Sequence, residues 1–107
     1  MMRWSPDLVN GVWMRVKWTR KALVNLDNAV AFIAADKLAA ATNVALKILN
    51  AAKMLAAQPG IGRPGRVSGT RELIIPGLPY VLPYAEKDGV IFILRVLHTS
   101  RKWPETV

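Results

Sequence analysis

The sequence predicts an α+β fold: an N-terminal strand and a helical hairpin packed on a mainly antiparallel sheet, in the order β-αα-βββ. Three observations predict it. Between residues 19 and 57, apolar side chains recur at spacings of three and four, the helical period. The breaker-rich stretch Gln58-Pro-Gly-Ile-Gly-Arg-Pro-Gly-Arg-Val-Ser-Gly-Thr70 ends that pattern. Beyond it the apolar period changes to two, that of strands.

Each element has a local reason. Residues 1–13 carry the turn formers Ser5-Pro6-Asp7 and Asn10-Gly11 without a clear period, so they read as a loose N-terminal extension to a domain at 14–107. Arg15-Val-Lys-Trp18 alternates, with Val16 and Trp18 on one face of a short strand. Thr19 is a good N-cap for the helix that follows. Its stripe is Leu23, Leu26, Val30 and Ile33, and a second stripe is Leu38, Ala41, Ala45, Ile48, Ala52 and Leu55. One helix over both would span about 58 Å at 1.5 Å per residue, too long for so small a domain. A bend near Asp36 is therefore expected, with Asp36 capping the second helix. Strands are expected at Arg71–Ile75, Tyr80–Glu86 and Val90–His98, the last two joined by an Asp88-Gly89 hairpin turn. Pro83 cannot donate to a ladder, so an edge position or a bulge is expected there. The last strand is almost wholly apolar and reads as central; along it Arg95 and Leu97 share one face, Val96 and His98 the other.

At 107 residues the chain is sized for one domain. Fifteen Lys and Arg against seven Asp and Glu give a formal charge of +8, which attracts nucleic acid or an acidic protein unless it is only a solvated surface. Apolar residues make up 52%, more than a solitary soluble domain needs, so the surplus forms either a dense core or a surface that a partner covers. The absence of cysteine excludes disulfides and thiolate metal sites, and a single histidine excludes a His-rich one; no metal or cofactor is expected. Charges interrupt every apolar stretch before membrane-spanning length, and residues 1–13 lack a secretory apolar region, so the cytoplasm is the expected compartment.

The candidate functional residues collect at the C-terminal end, in Arg95-Val-Leu-His98-Thr-Ser-Arg101-Lys-Trp103-Pro104. Phosphodiester cleavage needs a base, an acid and cations for developing charge. His98 is the one side chain of the chain whose ordinary titration lies near neutrality. Arg95, Arg101 and Lys102 supply cations beside it, and Trp103 either stacks on a base or anchors the tail. Arg63 and Arg66 on the glycine-rich loop suit phosphate or a carboxylate partner. Arg71 is either a phosphate clamp or one half of a cross-strand ion pair, and Glu72 reads as its structural companion. Gly60-Ile-Gly62-Arg-Pro-Gly65 follows a helix, not a strand, and so lacks the context of a phosphate-cradling turn.

From Met14 onward the chain resembles the RelE/ParE toxin superfamily of bacterial type II toxin–antitoxin systems. The resemblance rests on Val16-Lys-Trp-Thr19, the alanine-rich hairpin with Ala35-Asp36, and Gly62-Arg-Pro-Gly-Arg-Val-Ser-Gly-Thr-Arg-Glu-Leu73. It continues through Tyr80–Tyr84 and Ile93-Leu-Arg-Val-Leu-His98 to Arg101-Lys-Trp-Pro104. It implies a growth-inhibiting, plasmid-stabilising toxin in a hetero-oligomer with a cognate ParD/RelB-like antitoxin. RelE-like members cleave mRNA on the ribosome with a cluster of Arg and Lys and a C-terminal Tyr or His; ParE-like members inhibit DNA gyrase. Val81 stands where RelE-type enzymes tend to carry an arginine, Trp103 where a catalytic tyrosine is expected, and Lys37-Leu38 where an Asn-Pro turn is common. The resemblance is thus more to ParE, with Arg63, Arg66, Arg95, Lys102 and Trp103 as target-binding residues. In the endoribonuclease alternative His98, Arg71 and Arg101 are catalytic; a non-toxic nucleic-acid-binding relative is the third reading.

Overall fold

Directly paired residues of a sheet point to the same side, so the pairing register determines which side chains meet the helices. The computed structural model describes residues 14–101, 103 and 104. It contains β1 (Arg15–Trp18), α1 (Arg20–Ala34), α2 (Leu38–Met54), β2 (Arg63–Pro64), β3 (Arg71–Ile74), β4 (Tyr80–Lys87), β5 (Val90–Ile93) and β6 (Leu97–His98). The extension expected over residues 1–13 lies outside the described residues, as does Lys102. One sheet runs β1-β5-β4-β3-β2, with β6 pairing to β4. β1 is parallel to β5 and the other pairs are antiparallel. The order β-αα-βββ holds, with β2 added from the loop and the last strand divided in two.

Val16 and Trp18, Ile91 and Ile93, Leu82 and Tyr84, and Leu73 share the helix side of this sheet through the register. They pack there against Ala22 and Leu26 of α1 and Val44, Ile48 and Ala52 of α2. The helical stripes hold except at their first members: Leu26, Ala41, Ile48, Ala52 and Leu55 are buried, and Val30 and Ile33 pack against the core. Leu23 and Leu38 are 47% and 71% exposed, whereas Ala22 and Val44 are buried. The first turn of α1 is pinned to the sheet by the Thr19 amide donating to the Ile93 carbonyl at 3.0 Å. Residues three and seven positions after Thr19, Ala22 and Leu26, then face the sheet. Phe32, Leu46, Leu49 and Met54 are also exposed, so part of the apolar surplus lies on the surface. Among the described residues no helix is long and apolar enough to cross a membrane.

The bend falls where expected but is built differently. Asp36 and Lys37 both donate backbone hydrogen bonds to the Ile33 carbonyl, so Asp36 belongs to the closing turn of α1. Lys37 occupies the N-cap position of α2, extended and without a side-chain cap bond. The expected Asp36 cap is therefore absent.

Val90–His98 is not one strand. Ile93 pairs with Tyr84 and Leu97 with Val81, so four steps on one chain face three on the other. One extra residue is accommodated, as in a bulge. The cause lies at Pro83. It sits inside β4, a central strand, not at an edge, and its carbonyl accepts from the Leu94 amide at 2.8 Å. An ordinary residue would return a bond from its own N–H to the Leu94 carbonyl; proline has none to give. The Thr19 hydroxyl takes that place, donating to the Leu94 carbonyl at 3.1 Å while its oxygen accepts from the Ala22 amide at 3.1 Å. Two residues on, the Val96 amide donates to Asn25 Oδ1 of α1 at 3.2 Å. The chain thus leaves the ladder opposite Pro83, is caught by α1, and rejoins β4 one residue out of step.

Thr19→Ala removes a helix cap and leaves the Leu94 carbonyl unpaired, and is expected to cost about 2 kcal/mol in urea unfolding. Thr19→Ser, which keeps the hydroxyl, should retain most of that stability.

Candidate functional site

The slip in register sets where His98 points. His98 pairs with Tyr80, and both rings meet edge to face on the helix side, centroids 5.3 Å apart at 84°. His98 Nδ1 accepts from the Ser100 amide at 3.2 Å and lies 2.9 Å from the Ser100 hydroxyl. Because the amide must donate, the proton of the neutral ring sits on Nε2. A cavity of about 200 Å³ opens here between Asn25, Asn28 and Phe32 of α1 and the segment holding His98, Arg101 and Trp103. The Arg101 guanidinium stands 5.5 Å from the Phe32 ring centre. Trp103 Nε1 donates to the His98 carbonyl at 3.2 Å, and the Arg66 guanidinium stacks 3.7 Å over the indole. That stack ties the tail to the 62–70 loop by a cation–π contact.

Arg71 lies at a different place. It pairs with Tyr84, four residues along β4 from Tyr80, a separation of roughly 13 Å. Its Nη1 donates to the Gly62 carbonyl at 2.8 Å. The Tyr84 hydroxyl donates to the Pro59 carbonyl at 2.7 Å and accepts from the Gly62 amide at 2.9 Å. Gly62 is required by this closeness: a Cβ there would lie 2.6 Å from the Tyr84 ring and 2.9 Å from the Glu72 carbonyl oxygen. A second cavity, about 260 Å³, is lined by Gly60, Gly69, Arg71, Tyr84 and Glu86.

Glu72 is the buried carboxylate that shapes the loop. Its Oε1 accepts from Arg63 Nε and Nη2 at 3.2 and 3.1 Å, and its Oε2 from the Arg66 amide at 2.9 Å. The cross-strand ion pair is therefore Arg63–Glu72 rather than Arg71–Glu72, which follows from the pairing of β2 with β3. Arg63 is half exposed, so the ion pair itself contributes only about 0–1 kcal/mol. Arg95 is half-buried, and its Nε has no hydrogen-bond partner among the described residues.

Of the three residues expected to be catalytic, only His98 and Arg101 line one cavity; Arg71 is bound to a loop carbonyl elsewhere. Of those expected to bind a target, Arg66 and Trp103 are brought together, Arg63 is engaged by Glu72, and Lys102 lies outside the described residues. Asn25, Asn28 and Phe32 were not legible as site residues from the apolar stripes. Their spacing of three and four does place them on one face of α1, and that polar face is the signal that marks them.

Comparison with known proteins bears on what this frame is. The family model described as the ParE toxin of the type II toxin–antitoxin system parDE matches residues 16–103. The chain belongs to the ParE toxin family. Relatives of this ParE-family chain include a candidate toxin of Sinorhizobium fredii, Y4kP, 41% identical over 87% of this chain and 96% of that protein. Toxin RelE2 of Caulobacter vibrioides is 33% identical over 81% of this chain and 97% of its own length. Among solved structures, a chain of the chromosomal ParDE system from P. aeruginosa superposes with a TM-score of 0.74 at 32% identity, covering 82% of this chain and 98% of that one. A chain of the RelBE2 toxin–antitoxin complex from Mycobacterium tuberculosis gives 0.56 at 26% identity, covering 84% and 95%. This ParE-family chain is a toxin of the type II toxin–antitoxin class, with the α+β architecture those structures share.

Burial pushes the Tyr84 phenol above its ordinary value of 10.0, against the opposing pull of the Gly62 amide and the Arg71 charge. The folded state therefore holds this proton more tightly than the unfolded chain. The stability it confers is complete below about pH 10 and is lost as pH rises through the folded value. Unfolding titrations from pH 8 to 11 should show an alkaline decline that is smaller in Tyr84→Phe. That variant should also lose about 1–3 kcal/mol at neutral pH, because the Gly62 amide is left unpaired. Gly62→Ala should be at least as destabilising by the same measurement, since its methyl group would displace the tyrosine ring.

Proposed function

We propose that this ParE-family toxin stops growth by binding DNA gyrase, without a catalytic residue of its own, and is held inactive in the cytoplasm by a cognate ParD/RelB-like antitoxin. The observation that carries the reading is the separation of Arg71 from His98. A phosphodiester-cleaving site gathers its base and its cations around one phosphate. Here Arg71 stands roughly 13 Å along β4 from the residue that pairs with His98. It donates to the Gly62 carbonyl, and Arg63 is held by Glu72. What remains at the C-terminal end is a shaped surface of Phe32, His98, Arg101 and Trp103 backed by Arg66, which suits recognition of a protein target. The toxin domain is assigned to residues 14–107, and plasmid or chromosomal maintenance is the role it serves. The exposed apolar side chains of the hairpin, Leu38, Leu46 and Leu49 among them, suit cover by an amphipathic antitoxin segment.

One observation favours the second reading, ribosome-dependent mRNA cleavage. His98 and Arg101 do share a cavity, with Asn25 and Asn28 beside them. In that reading His98 is the acid or base and Arg101 the cation.

Purified toxin released from its antitoxin should inhibit gyrase supercoiling and leave ribosome-bound mRNA intact, and His98→Ala should retain at least half of the inhibition. Codon-dependent mRNA cleavage that vanishes in His98→Ala, with supercoiling untouched, would overturn the gyrase reading. Unimpaired growth on expression without antitoxin would overturn both.

A further inference from the structure

The face of the sheet turned away from the helices carries features that neither reading of the toxin uses. The register places Lys17 beside Phe92, and Phe92 beside Ala85. In the next row it places Arg15 beside Val90, and Val90 beside Lys87. All six side chains lie opposite the core-facing residues Val16, Ile91 and Ile93. Elsewhere on this face Glu72, Val81 and Pro83 are buried. At the β1–β5–β4 end Arg15, Lys17 and Lys87 are exposed, and Phe92, Val90 and Ala85 are only half-buried. Ile74, paired with Val81, is also exposed on this face, but Lys17 and Lys87 both lie at the β1–β5–β4 end.

We infer that this end of the open sheet face binds a single-stranded phosphodiester chain, with Lys17 and Lys87 on phosphates and Phe92 as a stacking surface for a base. Charge complementarity selects the ligand. Among the described strand residues of this face the one carboxylate is Glu72, already held by Arg63 and the Arg66 amide. Neither Lys17 nor Lys87 is in an ion pair among the described residues. Lys17 lies one strand from Phe92, and Lys87 one strand and two residues from it, so the lysines stand about 5–8 Å from the ring and about 12 Å from each other along the backbone. A flexible strand that splays its bases matches a flat sheet with a half-exposed aromatic ring flanked by cations. Lysine on β1 also blunts an edge strand against mispairing. That explains Lys17 alone, because Lys87 lies on β4, an interior strand, and Phe92 on β5, with neighbours on both sides.

The site is separate from the His98 cavity, which opens on the helix side, and it stands whether or not gyrase is the toxin's target. DNA and RNA offer the same chemistry to it. The test is fluorescence anisotropy of the full chain with labelled single-stranded DNA, single-stranded RNA and duplex DNA of about 20 nucleotides, titrated with salt. Binding to either single strand, stronger than to duplex and weakening with salt, is expected, and the preferred strand identifies the source. Lys17→Glu with Lys87→Glu should weaken binding at least about tenfold. Lys47→Glu with Lys53→Glu, on the exposed side of α2, lowers the net charge equally, from +8 to +4 at two units per reversal, and should change affinity by less than about threefold. Phe92→Leu should weaken single-strand binding several-fold and leave duplex binding unchanged. Thermal unfolding checks that each variant is folded. No binding at low salt, equal losses in the two charge-reversed pairs, or preference for duplex would each overturn the assignment. Loss of strand binding with gyrase inhibition intact would leave the site in place and separate it from the toxic action.

Discussion

A proline in a central strand deprives the neighbouring chain of one hydrogen bond, and the placement of the functional end depends on how that vacancy is met. Pro83 accepts from Leu94 but cannot donate back, and the Thr19 hydroxyl donates in its stead. The same oxygen caps α1. A single side chain therefore fixes the start of the helical hairpin, the end of β5 and the point at which the chain leaves the ladder. With Asn25 receiving the Val96 amide, α1 becomes the scaffold on which the C-terminal segment is laid. The core side chains of β5 and β4 stay in phase because the irregularity is confined to Leu94–Val96.

The consequence for chemistry is a division of labour along β4. At one end Tyr84, Gly62 and Arg71 form a knot that closes the 59–70 loop, and the arginine is consumed in doing so. At the other end Tyr80 and His98 meet beneath a cavity whose walls come from α1 and the tail. Glu72 joins the loop to the sheet from the opposite face, and the Arg66–Trp103 stack returns the tail to that loop. Much of the chain's positive charge near these elements is thus structural, and what is left over is distributed on surfaces rather than concentrated around one reacting atom.

Where local chemistry controls an element, the sequence discloses it. The Thr19 cap, the two helical periods and the Asp88-Gly89 turn are all legible because each rests on residues within a turn of one another. Asp88 and Gly89 take positive φ values of 53° and 78°, as a tight hairpin turn requires. Pro83 likewise announced an irregularity, although the bulge fell on its partner. What was not legible depends on distant partners. In the first turn of α1, which is bound to the sheet at Ile93, Ala22 turns inward and Leu23 outward, while Leu26, Val30 and Ile33 face the core as their spacing predicts. β2 exists because Glu72 recruits Arg63 and the Arg66 amide across the loop, a pairing that no alternation in Gly60–Gly65 signals. Of the residues nominated from the sequence, His98, Arg101 and Trp103 gather at one cavity, while Arg71 is drawn away by the Gly62 carbonyl and the polar positions of α1 were hidden behind its apolar stripe.

The one-residue slip between β5 and β6 has an evolutionary side. In an unbroken strand His98 would stand on the face opposite Ile93, with the basic residues of the open sheet. The extra residue between Ile93 and Leu97 turns it instead toward α1. Loss or gain of a single codon in that short segment exchanges the faces of everything after it, with Val96 the one core side chain within its reach. A lineage built on this frame can therefore move its imidazole from one surface to the other in one genetic step, and divergence in target need not begin with substitution of the residues that make contact.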